Sequence, residues 1–257
     1  MAVQVYFIGA GPGDPELLTL KGKRIIEQAD VIIYADSLVD PGICSFARSE
    51  AEIYKSASMS LEEITEIILR AVNENRLVVR IQSGDPSIYG AIHEQMDVLK
   101  EHGIEYEVIA GVSSLFAAAA SLQTELTVPG LSQTVIITRM EGRTPVPEPE
   151  RLRSLAAHQA TIAIFLSVSM IEGVVQELLE GGYPAETPAA IVYRASWEDE
   201  TVIHATVRDI AKEAQSRGIK GQALILVGRT LATEGHHRSK LYDKSFRHGY
   251  REEHEQG

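Results

Sequence analysis

Three glycine-containing turns in the first half of the chain carry residue types suited to binding a small polar ligand. The first turn, GAGPGD, follows the apolar run VYFI; the second, SGDPSIYGA, follows LVVRI; and the third, AGVSS, follows YEVI. Backbone N–H groups, serine hydroxyls and aspartate carboxylates can all hydrogen-bond a ligand. Each turn alone is also an ordinary tight turn. Because three of them follow apolar runs, we expect one binding crevice at the carboxyl edge of a sheet.

The first turn departs from the dinucleotide-binding pattern G-x-G-x-x-G. Asp14 stands at the third glycine position, where a carboxylate would repel a pyrophosphate. Pro12 and Pro15 remove two N–H donors that an anion site would use. Asp36, at the end of the second apolar run, could still bind a ribose. An NAD-dependent Rossmann oxidoreductase therefore remains an alternative.

Short β-rich runs alternate with segments of helical periodicity, which predicts α/β domains with largely parallel sheets. Strands are predicted at residues 3–8, 31–34, 77–81 and 106–109, and then at 134–138, 162–166, 189–193, 201–204 and 223–227. Helices are predicted at residues 61–72, 115–122, 150–157, 169–180 and 206–216. The first of these helices begins with a Ser60–Glu63 capping box.

The polar stretch QTELTVPGLSQ predicts a domain boundary near residue 122. We expect an N-terminal α/β domain over residues 1–122 with a mainly parallel sheet, a C-terminal α/β domain over residues 123–231, and a polar tail over residues 232–257. The two strands that flank WEDE are too close in sequence for a helix between them. They are expected to pair antiparallel and to make the second sheet mixed.

Composition disfavours several classes of partner. The net charge of −12 opposes binding to nucleic acid and to anionic membranes. The uncharged stretch at residues 108–124 is interrupted by polar residues and makes a poor membrane span. The single cysteine, Cys44, and the lack of a basic leader segment indicate a cytoplasmic protein. The tail histidines, His236, His237, His248 and His254, lack a metal-site spacing, so no protein-bound metal is expected.

The order and separation of GAGPGDPELLTLKG, SGDPSIYGA and AGVSS resemble the tetrapyrrole methylase family. The resemblance continues through ATIAIFLS, PAAIVYRAS and GQALILVG, up to about residue 231. Within the family, YADSLVDPGI, EIYKSASMSLEEI and SQTVIITRMEGRTPVPEPE are similar to members that methylate carbon C-11 of cobalt-precorrin-4 or metal-free precorrin-4 in cobalamin synthesis. The sequence leaves open whether the ring carries cobalt.

The resemblance implies the tetrapyrrole methylase fold, with a cleft between two α/β domains that binds S-adenosylmethionine as methyl donor, and a homodimer. The donor-binding residues that it implies are Pro12, Ser83, Gly84, Asp85, Ile88, Ser113, Ser114, Leu166 and Ala195. Three of them depart from the family pattern, because Ser83 replaces a glycine, Leu166 a frequent methionine and Ala195 an occasional glycine.

The first turn is expected to face the tetrapyrrole substrate through Gly13 and Asp14. A tetrapyrrole with several carboxylates needs local cations on an acidic protein, and the candidates are Lys55, Arg139 and Arg143. The methyl of a sulfonium is already activated, so a nucleophilic residue is unnecessary, and the sequence singles out no catalytic base. A non-catalytic tetrapyrrole-binding protein is the remaining alternative.

Overall fold

The structure, a computed structural model, describes residues 3–232, 239, 242–243 and 246–247. All four tail histidines, and most of the tail predicted over residues 232–257, lie outside the described residues. The chain divides into two units. The first unit contains Met1–Ser121 and Val192–Thr201, and the second contains Leu122–Ile191 and the chain from Val202 onward. The sequence predicts residues 192–201 in the C-terminal domain, whereas in the structure they belong to the first unit.

The first unit is built on a five-stranded parallel sheet with the strand order β3-β2-β4-β1-β5. In chain order its strands are β1 (Val5–Gly9), β2 (Val31–Tyr34), β3 (Glu52–Lys55), β4 (Val78–Gln82) and β5 (Tyr106–Ile109). Its helices are α1 (Leu20–Ile26), α2 (Leu61–Asn73), α3 (His93–Glu101) and α4 (Ser114–Ser121). A Rossmann dinucleotide domain has the order 3-2-1-4-5-6. The insertion of β4 between β1 and β2 therefore argues against the oxidoreductase alternative.

Both faces of this sheet carry buried apolar side chains, because a parallel sheet is covered by helices on both sides. On β1, Ile8 belongs to one buried cluster, and Val5 and Phe7 belong to the cluster on the opposite face. The predicted capping box of α2 is confirmed, because Ser60 N donates to Glu63 Oε2 at 2.7 Å and Glu63 N donates to Ser60 Oγ at 3.3 Å. The apolar side of α2 packs on one face of the sheet and forms part of the helical layer there.

The second unit contains a mixed five-stranded sheet with the order β6-β7-β10-β8-β9. Its strands are β6 (Val135–Arg139), β7 (Thr161–Phe165), β8 (Pro188–Tyr193), β9 (Thr201–Thr206) and β10 (Ala223–Val227). Its helices are α5 (Leu152–Ala156), α6 (Ile171–Glu180) and α7 (Ile210–Ser216). β6 pairs parallel with β7, and β10 pairs antiparallel with β7. The prediction of a mixed second sheet is confirmed, and the strands flanking WEDE are neighbours as expected.

Most predicted elements are confirmed to within a few residues, and the differences have simple causes. Strand β3 was not predicted because it is an exposed edge strand without an apolar run. The predicted helix at residues 206–216 begins only at Ile210, because β9 continues to Thr206. Leu166 lies just beyond β7, because its backbone turns into the left-handed region with φ 54°.

Within the part of the chain that the structure describes, no helix combines the length and the apolar character that a membrane crossing requires.

Candidate functional site

Three loops leave the carboxyl edge of the first sheet side by side, because β4, β1 and β5 are neighbours. We call residues 10–14 after β1 the first loop, residues 83–92 after β4 the second loop, and residues 110–113 after β5 the third loop. Gly84 N donates to Gly11 O at 2.8 Å, and Gly11 N donates to Gly84 O at 3.3 Å. The predicted grouping of three turns at one sheet edge is confirmed.

Two glycines, Gly9 at the end of β1 and Gly111 in the third loop, allow the chain to approach the carbonyl group of Gly84 at backbone distance. A Cβ on Gly111 would lie 2.1 Å from Gly84 O and 2.7 Å from Gly9 Cα. A Cβ on Gly9 would lie 2.5 Å from the same carbonyl oxygen. Real Cβ atoms do not approach backbone this closely, so glycine is required at both positions. These two glycines therefore let the three connections after β1, β4 and β5 pack on one another.

Asp85 connects the second loop to the third. Its Oδ2 accepts a hydrogen bond from Gly111 N at 2.8 Å, and its Oδ1 accepts from Ser87 N at 2.9 Å and from Ser87 Oγ at 2.5 Å. Burial raises the pKa of Asp85, but these hydrogen bonds outweigh burial, so the pKa lies below its ordinary value. Asp85 is thus an ionised carboxylate at neutral pH whose first structural role is to hold two loops together.

The third loop leads directly into α4, where the two predicted serines lie. Ser113 is 7% exposed, and its hydroxyl oxygen accepts a hydrogen bond from Leu115 N at 3.3 Å. Ser114 is the first residue of the helix. A Cβ on Gly84 would lie 3.7 Å from Ser113 Cα and 3.7 Å from Ser114 N. The serine pair is therefore next to Gly84 of the second loop, at a spacing that a Cβ at position 84 would fill.

A buried polar chain that sequence reasoning missed supports the second loop. Arg80, in the middle of β4, donates from Nη1 to Ile33 O and Ile81 O and from Nε to Gln95 Oε1 at 3.3 Å. Gln95 Nε2 donates to Ala91 O at 3.0 Å, in the second loop. Burial lowers the pKa of Arg80 to about 10. These hydrogen bonds connect strand β4, through Arg80 and Gln95, to Ala91 of the second loop, whose φ is 49°.

The first loop is held by a segment far away in sequence, residues 194–200, which belongs to the same unit. Trp197 Nε1 donates to Pro12 O at 2.9 Å, and Asp14 N donates to Ser196 Oγ at 3.0 Å. A Cβ on Gly13 would lie 2.2 Å from Trp197 Cδ1, so the indole packs directly on the glycine. The sequence predicts WEDE only as the connection between two strands. The single tryptophan of the chain was the one signal that could have marked it.

Ala195 lies within this holding segment, whereas other predicted site residues lie elsewhere. Leu166, Arg139 and Arg143 belong to the second unit. Leu166 is 63% exposed in its left-handed conformation, which is uncommon for a branched apolar residue. The remaining predicted residues of the first unit lie on the three loops or at the start of α4: Pro12, Gly13, Asp14, Ser83, Gly84, Asp85, Ile88, Ser113 and Ser114.

The guanidinium group of Arg139 is occupied by the backbone of its own loop. Its Nη1 donates to Thr144 O at 3.2 Å, and its Nη2 donates to Pro145 O at 2.7 Å. Arg143 lies on the same loop and is exposed. Of the three predicted substrate cations, Arg139 therefore orders the loop that carries the exposed Arg143.

Comparison with known proteins places the chain in a family. A family model described as Tetrapyrrole (Corrin/Porphyrin) Methylases matches residues 4–211. The chain belongs to the tetrapyrrole methylase family. This methylase is 59% identical over 251 residues to the cobalt-precorrin-4 C(11)-methyltransferase of Methanocaldococcus jannaschii, a match that covers 98% of this chain and 97% of that protein.

Two solved structures extend the comparison. The crystal structure of a cobalamin biosynthetic enzyme, cobalt precorrin-4 methyltransferase, matches the methylase with a TM-score of 0.87 and 48% identity, over 89% of this chain and 95% of that one. A uroporphyrin-III C-methyltransferase from Thermus thermophilus, complexed with S-adenosylhomocysteine, matches with a TM-score of 0.75 and 31% identity, over 89% and 93% of the two chains. The fold of one parallel and one mixed sheet is that of the family.

Among the described residues of this methylase, no three His, Cys, Asp or Glu side chains are grouped as a metal ion would require. Cys44 is a free, half-buried thiol whose pKa is raised by burial.

Proposed function

We propose that the chain is an S-adenosylmethionine-dependent methyltransferase that methylates ring carbon C-11 of cobalt-precorrin-4 in cobalamin biosynthesis. The observation that carries this proposal is the 59% identity, over 98% of the chain, to a cobalt-precorrin-4 C(11)-methyltransferase. Family membership supports methyl transfer to a tetrapyrrole. The relative's name supports the substrate and the ring position.

In this proposal the three loops of the first unit bind the methyl donor. The serine pair at the start of α4 adds hydroxyl groups that can hydrogen-bond a polar ligand at this sheet edge. The related Thermus thermophilus enzyme in complex with S-adenosylhomocysteine supports a donor of this kind. The residues assigned to the donor are Pro12, Ser83, Gly84, Asp85, Ile88, Ser113, Ser114 and Ala195, and Leu166 of the second unit is kept as a predicted contact.

Asp85 has the properties that a positively charged donor would favour. Its depressed pKa keeps it ionised, and a carboxylate stabilises a nearby cation. S-adenosylmethionine supplies a methyl group activated by its sulfonium. The carboxylate is fixed by Gly111 N and Ser87 N, so the charge stays in place without further ordering.

The first loop is assigned to the substrate, with Gly13 and Asp14 facing the ring. Its conformation is fixed by Trp197 and Ser196, which spares the loop an ordering cost when the ring binds. Arg143 is the exposed cation proposed for a ring carboxylate, and Arg139 supports it by ordering their common loop.

The main catalytic contribution proposed for the chain is orientation. Holding two reactants in line contributes on the order of 7–11 kcal/mol, and rigid loops joined at backbone distance suit that role. No covalent enzyme intermediate is required. We further place the protein in the cytosol as a homodimer, on the basis of the family resemblance and of its single free thiol; sedimentation velocity tests the dimer.

The function is tested by incubating the protein with cobalt-precorrin-4 and donor labelled with carbon-13 in its methyl group. The expected product carries one labelled methyl, bonded to C-11 in its carbon NMR spectrum. A parallel incubation with metal-free precorrin-4 shows which form of the ring is preferred. Label at another ring carbon would contradict the regiochemistry, and label left on the donor by a folded protein would favour the tetrapyrrole-binding alternative.

A further inference from the structure

Arg194 lies in the segment that holds the first loop, and its backbone conformation is rare for its residue type. Arg194 has φ 47° and Ser196 has φ 69°, both in the left-handed region, on either side of Ala195. Non-glycine residues persist in this region only where their surroundings enforce it, and they cluster at ligand sites. The segment therefore carries a strained backbone at the position where the first loop is held.

The guanidinium of Arg194 is oriented by two neighbours. Its Cζ lies 3.9 Å from the centroid of the Trp197 ring, which is a stacking distance. Its Nη1 donates to Asp199 Oδ2 at 2.5 Å. Because Trp197 also donates to Pro12 O, the cation is stacked on the same indole that fixes the first loop. Arg194 is thus placed beside the loop assigned to the substrate.

The hydrogen-bonding capacity of this guanidinium is only partly used. Its Nε is buried and has no partner among the described residues. The side chain remains 24% exposed, and the carboxylate of Asp199 that faces it is 52% exposed. An arginine presents a planar fork of donors that matches a carboxylate in two-point contact. Because Nε itself is buried, a second carboxylate would approach the guanidinium through its exposed part, beside Asp199.

The proposed substrate needs such a cation. The chain has a net charge of −12, the ring carries several carboxylates, and Arg139 donates to its own loop. We propose that Arg194, stacked on Trp197, binds a side-chain carboxylate of the tetrapyrrole substrate. This inference rests on the proposed function and adds to it a specific residue for substrate recognition.

The test compares steady-state kinetics of the wild type with Arg194→Met, which removes the charge and keeps an apolar stem on the indole. We expect KM for cobalt-precorrin-4 to rise about 10- to 150-fold, the effect of losing a charged hydrogen bond. We expect the Kd for S-adenosylhomocysteine to stay within about twofold. Arg208→Met is the matched control, because Arg208 is an exposed arginine paired with Glu186, and its KM should stay at the wild-type value.

A second readout separates carboxylate binding from a structural effect. With a substrate whose carboxylates are methyl esters, the wild type should lose more affinity than Arg194→Met, which keeps only the proposed contact to Arg143. Arg194→Gln replaces Arg194→Met if the latter does not fold. A KM within twofold of wild type in a folded variant, or equal losses on esterification, overturns the role of Arg194. A wild type that transfers no methyl group contradicts the proposed function instead.

Discussion

Replacing Asp85 with alanine tests whether its carboxylate joins the second and third loops. The substitution removes the acceptor of Gly111 N, which is half-buried, and the acceptor of Ser87 N, which is exposed. Water replaces the acceptor at Ser87, whereas the N–H of Gly111 is left unpaired at a cost of about 1–3 kcal/mol. The free energy of unfolding should fall by that amount. The Tm should fall by about 2–4 °C for each kcal/mol.

The pH dependence of the free energy of unfolding tests the same role of Asp85 independently, by comparing the wild type with Asp85→Asn. Because the pKa of Asp85 is lower in the folded protein, the carboxylate stabilises the fold fully above its unfolded pKa of about 3.9. That contribution is lost as the pH falls through the lower folded pKa. Below about pH 4, wild-type stability should therefore decrease more steeply than that of Asp85→Asn.

Urea unfolding monitored by circular dichroism measures both effects, and calorimetry with S-adenosylhomocysteine measures donor binding. Ser87→Ala is the matched control, since it leaves the bond between Asp85 and Gly111 in place. Asp85→Ala should also bind S-adenosylhomocysteine more weakly than either the control or the wild type. An Asp85→Ala protein with wild-type stability and wild-type affinity would refute the reasoning.

Other substitutions test neighbouring features. Gly111→Ala places a Cβ 2.1 Å from a backbone oxygen and should cost about 1–3 kcal/mol or more in urea unfolding, whereas Gly221→Ala, with open space around it, should be nearly neutral. Trp197→Phe keeps a ring on the first loop but loses the N–H donor; KM for the tetrapyrrole should rise, and an unchanged KM would count against the holding role. Ser60→Ala should lower stability by about 1 kcal/mol through loss of the helix cap without changing KM.

The three loops could be predicted from the sequence because glycine, proline and aspartate directly after an apolar run favour a turn, whatever the rest of the chain does. Each turn is specified by its own residues, and parallel strands bring their carboxyl ends to one edge. The capping box of α2 is also local and was predicted correctly. The close contacts among Gly9, Gly84 and Gly111 are not predicted by the sequence and are seen only in the structure.

Contacts between distant parts of the chain could not be predicted. The bonds from Asp14 and Trp197 join residues separated by 182 and 185 positions, and no local pattern indicates such a pairing. The sequence also does not reveal the hydrogen-bond acceptors of a charged group. Arg139 is predicted as a cation available to the substrate, but its guanidinium donates to carbonyl groups of the loop that follows it. Buried Arg80 was missed for the same reason, because a single charge in a strand does not reveal its acceptors.

The most direct test of the central claim is a crystal structure of the protein with S-adenosylhomocysteine. We predict that the ligand contacts the first, second and third loops together, near Asp85 and the serines at the start of α4. A ligand bound away from these loops, in a protein whose loops keep the contacts described above, would contradict the account.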